Sequence, residues 1–584
     1  MSERMKRTYA IDAIATIGEE ITASGWVQSR RDHGGLIFID LRDHTGILQL
    51  VITPEIAEAF RLAETLRDEF VISADGLVRS RAEGLVNDKI PTGGVEVVVS
   101  TLTILNRAEA LPIQPFSDAQ AGEELRLKYR YLDLRRPKMQ KLLRARAEMF
   151  SQIRTFMENN EFIEVTTPIL ANSSPEGARD FLIPARLQPG KFYALPQAPQ
   201  QFKQLLMVGG VPRYYQLAAC FRDEDPRADR LYGEFYQLDA EISFIDDGED
   251  VRRTFDPLIK QLATDFASKS LLSEDIPRIS YVEAMERFGT DKPDLRFSME
   301  LVDLTDVFAN TEFGVFKNAD CVKAIRVAGG ASLSRKQIDN FTEIAKNEGA
   351  GGLAYITYEA GVEKSPIAKF LSETELAGLR DKLQVTDGDA VFFGADRRMI
   401  VNKVLGRLRN EFATHFKLKD PNIIALCWIV DFPFYEWDET RRRVDFGHNP
   451  FSMPKGGLGS LDVATDEEKL AIVADQYDMV MNGYEICSGG VRNHNPEVLY
   501  KVFGLLGYDK DYVEAKFGAM LNAFKYGAPP HAGCAFGVDR MFMELMGESN
   551  IREVIAFPKN GSGVDLMMNS PSAVEPEQLK ELGL

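Results

Sequence analysis

The stretch YYQLAACFRDEDPRADRLYGEFYQLDAEISF, residues 214–244, governs how the rest of the chain is read. Its two flanks look like interior strands, with apolar and polar residues interleaved. Between them, seven of the eleven positions from 220 to 230 carry a charge, with both signs mixed, and PRADRLYG supplies turn residues. Two core strands joined by a dense arginine–carboxylate loop suit a polyphosphate and its metals. Guanidinium pairs bidentately with phosphoryl oxygens, and carboxylates hold Mg²⁺ through hard oxygen ligands. Alone, the same loop also fits a self-neutralising surface hairpin.

At 584 residues the chain exceeds one core, so two to four domains are expected. The opening MSERMKRTYAIDAIATIGEE lacks the apolar run of a signal peptide. No stretch reaches the roughly 18 apolar residues of a membrane span. Five dispersed cysteines without CxxC spacing suit a reducing compartment, so a cytoplasmic protein is expected. The net charge of −19 argues against a nucleic-acid partner on totals alone. Residues 125–154 nevertheless hold ten Lys/Arg and two acids, and phosphate affinity follows local clusters.

Residues 20–105 read as short strands with one helical stretch, PEIAEAFRLAETLRDEF, the order of an OB barrel. Composition alone allows any small β-barrel. A Pro-punctuated basic connection follows. Then LLRARAEMFSQIRTFMENNEF is a helix, with Leu142, Met149, Phe150, Ile153, Phe156 and Met157 along one stripe. Pro168 marks FIEVTTPIL as an edge strand or strand end. Around 288–415 the texture turns Gly/Ala-rich, as an inserted α+β module would. Near the C-terminus, GCAFGVDRMFMELMG leads through Gly537, Val538, Asp539 and Arg540 into an amphipathic helix, where backbone N–H groups also favour anions. Neither a P-loop nor a placed GxGxxG is present.

The helix plus FIEVTTPIL, FRDED with its returning strand, and GVDR entering a helix resemble motifs 1, 2 and 3 of class II aminoacyl-tRNA synthetases. With SPEGARDF, QAPQQFKQLLM, GHNPFSMPK and YEICSGGVR, nearly the whole chain resembles the bacterial aspartyl-tRNA synthetases. The resemblance implies a multidomain α+β protein. Residues 1–108 would be an OB-fold anticodon domain and 109–140 a basic hinge. Residues 141–287 would hold motifs 1 and 2, on an antiparallel sheet with flanking helices. Residues 288–415 would be an inserted GAD-type domain, and 416–584 would hold motif 3 and a C-terminal extension. It implies a homodimer, ATP and Mg²⁺.

By the same resemblance, Lys203, Arg492 and His448 meet the substrate side chain, as an acidic amino acid needs cationic partners. Gln200, Gln201, Phe202, Asp239 and Arg222 lie around the amino-acid end, with Asp239 suited to an ammonium. Glu176 sits on the loop that closes over aspartate. Arg222, Asp223, Glu224, Glu485, Gly537, Val538, Asp539 and Arg540 meet ATP, with Arg222 on the α-phosphate, Arg540 on the γ-phosphate and Glu485 on the metal. Catalysis then rests on positioning and charge stabilisation by Arg222 and Arg540, without a covalent nucleophile. The loop from Asp229 to Phe235 departs from the family's DRQPEFTQ, so the usual Gln contact near Leu231 is not carried over. Asn449 stands where the family has a second His.

His33 and Gly84 resemble the branch that charges both tRNA-Asp and tRNA-Asn. The two anticodons differ by C against U, an N4 donor against an O4 acceptor, and a neutral His donates or accepts. Strictly tRNA-Asp-specific charging stays open as the alternative. So do an asparagine or lysine ligase, a non-catalytic tRNA-binding protein and a tRNA-independent amide ligase. The first of these fits Lys203 and Arg492 poorly.

Overall fold

The computed structural model describes residues 7–117, 119–173, 178–447 and 449–584. Glu176 and His448 lie outside them. The chain divides into two units, Met1–Gln140 and Lys141–Leu584.

In the first unit, β1 (Glu20–His33), β2 (Leu36–Arg42), β3 (Ile47–Ile52), β4 (Val71–Ser80) and β5 (Val95–Asn106) close a barrel in the order β1-β2-β3-β5-β4. Helix α1 (Ala57–Glu64) connects β3 to β4. Alternate residues such as Ile21, Ala23, Ile37, Ile39, Leu48 and Leu50 point inward, as the two-residue strand period requires. The sequence RRDHGGLIFID places His33 and Gly34 on a loop leading into a strand. His33 is instead the last residue of β1, paired with Leu36 across Gly34 and Gly35. Both glycines have positive φ (59° and 80°), the conformation that a two-residue type I′ hairpin demands.

The basic connection is less cationic than its sequence. Buried Asp133 accepts from Arg130 at 2.6 Å, from Arg136 at 3.2 Å and from Arg126 at 3.4 Å. Arg135 donates to Glu69 at 2.6 Å, and Glu69 also holds Arg42 bidentately at 2.7 and 2.8 Å. Four arginines of the run are thereby committed to internal carboxylates. That follows from the cost of leaving a buried carboxylate unpaired.

The second unit begins within α2 (Pro137–Asn159), whose Met149, Ile153 and Met157 are fully buried. The strand expected over FIEVTTPIL is only β6 (Ile163–Glu164), which ends before Pro168. Helix α3 (Gln200–Val208) precedes β7 (Arg213–Arg222) and β8 (Gly233–Ser243), and β9 (Arg278–Ser280) runs into α4 (Tyr281–Phe288). Residues 302–396 form a separate five-stranded antiparallel sheet of β10 (Val302–Asp303), β11 (Cys321–Val327), β12 (Ala354–Glu359), β13 (Val362–Lys364) and β14 (Ala390–Asp396), in the order β10-β11-β14-β12-β13. Beside the single helical turn Gly314–Lys317, three longer helices accompany this sheet: α5 (Arg335–Asn347), α6 (Glu373–Leu383) and α7 (Arg398–His415). The chain then returns as β15 (Leu426–Pro433), β16 (Val473–Met481), β17 (Tyr484–Val491) and β18 (His531–Gly537), and enters α8 (Val538–Met546).

The main sheet has the order β9-β15-β16-β17-β18-β8-β7-β6. Its six central strands are antiparallel, but β9 joins β15 and β6 joins β7 in parallel, so the sheet is mixed rather than purely antiparallel. Short edge strands that follow a helix can enter in either direction, whereas the central hairpins cannot.

Where the inserted sheet departs, Gly289 ends α4 with φ 69°, and a Cβ there would lie 2.1 Å from Asn402 O and 2.9 Å from Gly406 Cα of α7. Gly289→Ala is expected to destabilise this unit by about 2–5 kcal/mol, summing left-handed backbone strain and overpacking. Denaturant unfolding would measure it.

Candidate active site

The β7–β8 hairpin aligns Gly233 with Arg222 and Asp239 with Gln216, so Gln237, Asp239 and Glu241 share one face of β8. The buried face of α3 sets Gln200 and Lys203 against it. Lys203 Nζ donates to Asp239 Oδ1 at 2.6 Å and lies 3.3 Å from Glu241 Oε2. Arg492, just past β17, donates to Glu241 through Nε at 2.8 Å and Nη2 at 3.2 Å. All four side chains are at most 2% exposed. Burial alone would lower the Lys203 pKa, but Asp239 and Glu241 hold it above its usual value. Burial pushes Glu241 up, but Arg492 and Lys203 bring it below the ordinary range. His531, behind Glu241, is pushed down by burial and adds no charge near pH 7. Burial pushes the Asp239 carboxyl up against the pull of Lys203. By formal charge the quartet is balanced, two cations against two carboxylates. Asp239 Oδ2 and Gln200 Nε2 are buried, with no hydrogen-bond partner among the described residues.

Lys203 and Arg492 open onto a cavity of about 1010 Å³ that Arg222 and Arg540 also line. Arg222 stacks over the Phe235 ring at 5.0 Å, and no carboxylate pairs with it among the described residues. Arg540 is held at the start of α8 by three contacts: Nη1 donates to Glu485 O at 2.5 Å, Nε to Asp229 O at 3.3 Å, and Nη2 lies 3.2 Å from Asp229 Oδ2. Glu224 pairs with Arg230 at 2.6 Å on the hairpin loop, and Leu231 lines the cavity beside them. Gly537 is also at the wall. Glu485 on β17 and Asp478 on β16 enter the same cavity, and burial next to Glu485 raises the Asp478 carboxyl well above its usual pKa.

Four expected contact residues do not line the cavity, and a fifth has its carboxylate engaged within the protein. Gln201 and Phe202 turn away from the buried face of α3 and do not line the cavity. Val538 is fully buried in the core. Asp223 accepts from Tyr232 Oη at 3.2 Å and lies 3.7 Å from Arg179, outside the cavity wall. Asp539 touches the cavity, but Arg146 of α2 and the Tyr236 N–H at 2.8 Å occupy its carboxylate, so it anchors α8 to the hairpin. His33 and Gly84 are exposed on the barrel. Sequence reasoning missed Glu241, Asp478 and Lys292. For Glu241 the signal was there: it lies two residues past Asp239 on a strand.

Residues 122–561 match the family profile of tRNA synthetases class II (D, K and N), and residues 21–105 match that of the OB-fold nucleic acid binding domain. The chain is 52% identical to a protein of Pelodictyon phaeoclathratiforme named aspartate–tRNA(Asp/Asn) ligase, across 97% of this chain and 94% of that protein. The chain is a class II aminoacyl-tRNA synthetase. A Rickettsia felis protein of the same name is 48% identical to the synthetase, over 98% of this chain and 96% of its own. Among solved structures, an aspartyl-tRNA synthetase from Entamoeba histolytica aligns with a TM-score of 0.58 at 18% identity, covering 96% of this chain and 92% of that one. The asparaginyl-tRNA synthetase from Pyrococcus horikoshii complexed with asparaginyl-adenylate gives 0.56 at 20% identity, covering 95% and 98%. These two likenesses concern the fold.

The synthetase family uses ATP. No helix among the described residues is long and apolar enough to cross a membrane.

Proposed function

We propose that the synthetase activates L-aspartate with ATP and transfers it to tRNA-Asp and tRNA-Asn. One observation carries the reading: Arg222 and Arg540, 318 positions apart in the chain, line one cavity with the buried Lys203–Asp239–Glu241–Arg492 quartet. In this reading the outer edge of Arg492, left over from Glu241, and Lys203 receive the side-chain carboxylate. Asp239 Oδ2, already buried and unsatisfied, accepts from the ammonium. The α-carboxylate oxygen then attacks the α-phosphorus of ATP and pyrophosphate leaves. Arg222 stabilises the charge gathering on the α-phosphate, and Arg540 holds the far phosphate. In the second step a terminal ribose hydroxyl of tRNA attacks the aspartyl carbonyl and AMP leaves. Proximity and fixed charge suffice for both steps.

Mg²⁺ fits the pair Asp478 and Glu485, since Asp478 Oδ1 is buried without a hydrogen-bond partner among the described residues. No three such ligands converge among those residues, which agrees with the habit of Mg²⁺ of taking one or two carboxylates and completing its shell on substrate phosphates. Such an ion would neutralise phosphate charge. Exposed Ile163, Ile169 and Leu170 at the β6 edge support a homodimer through that face. The domain division 1–108, 109–140, 141–287, 288–415 and 416–584 belongs to the same reading, as does a cytoplasmic location.

Pyrophosphate exchange tests the substrate: it should depend on aspartate and not on asparagine or lysine. Charging of tRNA-Asp and tRNA-Asn transcripts tests the partners. His33→Leu should lower charging of tRNA-Asn relative to tRNA-Asp by about tenfold, one lost base contact being worth about 1–3 kcal/mol. Equal charging ratios before and after the change would remove His33 from tRNA choice.

A further inference from the structure

Lys292 has no role in the mechanism above, yet it lines the same cavity. Its ammonium lies 3.2 Å from Glu485 Oε2 and 3.0 Å from Asp291 Oδ2. Among the described residues it is the only cation paired with Glu485. Asp478, on the strand beside Glu485, is 6% exposed and has the unsatisfied Oδ1. The backbone that carries Lys292 is fixed on both sides. Gly289 packs on α7, the Lys292 N–H donates to Thr290 Oγ1 at 3.1 Å, and a Cβ on Gly483 of the β16–β17 turn would lie 3.2 Å from Asp294 Cβ. The side chain itself keeps 40% of its surface exposed, toward the cavity it lines.

Two carboxylates facing one cleft repel each other, and a lone divalent ion would be drawn to them. The ammonium of Lys292 already supplies the positive charge at that place. A bare metal ion must displace it from Glu485 and leaves it Asp291 alone, with no new partner in return. A metal that arrives on a triphosphate brings an excess of negative charge, so the displaced ammonium gains a phosphate partner. Lysine suits this exchange because its charge is compact and its stem flexible, whereas a planar guanidinium fork is held in one geometry.

We propose that Lys292 is a resident countercation that closes the Asp478–Glu485 pair to free divalent ions and yields it only to a metal carried by the nucleotide, whose phosphates the ammonium then meets. The inference rests on the assignment of Glu485 to the metal. Mn²⁺ titration of the nucleotide-free full-length enzyme, followed by electron paramagnetic resonance, tests it. Lys292→Met should bind Mn²⁺ at least tenfold more tightly than the parent, and Lys292→Arg should stay within about threefold of the parent. The KM for ATP should rise severalfold in Lys292→Met and recover only in part in Lys292→Arg, with the KM for aspartate unchanged. Equal Mn²⁺ affinity in the parent and Lys292→Met overturns the inference. Glu485→Gln, measured with Mn²⁺ and ATP together, separates the two readings. If it leaves metal binding intact, the metal assignment itself fails. If it weakens binding while Lys292→Met matches the parent, only the countercation role fails.

Discussion

Arg540→Ala is expected to lower aspartate-dependent pyrophosphate exchange by about 10³-fold or more, the usual scale for removing an arginine that meets a transferring phosphate. The loss has two sources. One is the cation itself, which faces the cavity from the start of α8. The other is the brace it forms between Glu485 O and Asp229, which ties β17 to the hairpin loop. Arg540→Lys keeps the charge and loses the fork, so it should recover only part of the rate. Filter binding of tRNA should change little in either variant. Exchange surviving in Arg540→Ala would mean that the residue does not meet the triphosphate.

Arg492→Leu should raise the KM for aspartate by about 10²- to 10⁴-fold, from two lost charge-assisted hydrogen bonds of about 1.5–3 kcal/mol each. It should also cost about 3–5 kcal/mol of stability, because Glu241 stays buried with only Lys203 beside it. The double change Arg492→Leu with Glu241→Gln separates these effects. Removing both charges should return most of the stability and none of the aspartate affinity. If affinity returns with stability, Arg492 serves the fold and not the substrate.

The β7–β8 hairpin was legible because two alternating strands and a turn are local properties, and the α2 stripe was legible for the same reason. Partners far away in the chain were not. The carboxylate of Asp539 is taken by Arg146, 393 residues earlier, so a motif residue expected on ATP turned out to be a fastener. Arg126, Arg130 and Arg136 read as a basic surface until Asp133, one acid among them, proved to be the buried hub they share. Glu241 could be placed on the face of Asp239 by strand period alone. That it would absorb Arg492, 251 residues on, needed the sheet order. The parallel edges escaped for another reason: β6 and β9 are two and three residues long, too short to show any period.

The balance of charge in the quartet alters what selectivity means for this enzyme. A hollow lined by naked cations would collect chloride, sulfate and every small organic acid in its surroundings. Two positive and two negative groups paired with one another exert little pull at a distance. A visitor is retained only if it can re-pair both signs together, offering a carboxylate to the bases and an ammonium to the acid within a few ångströms. Inorganic anions, and acids without an amine, meet only half of that demand.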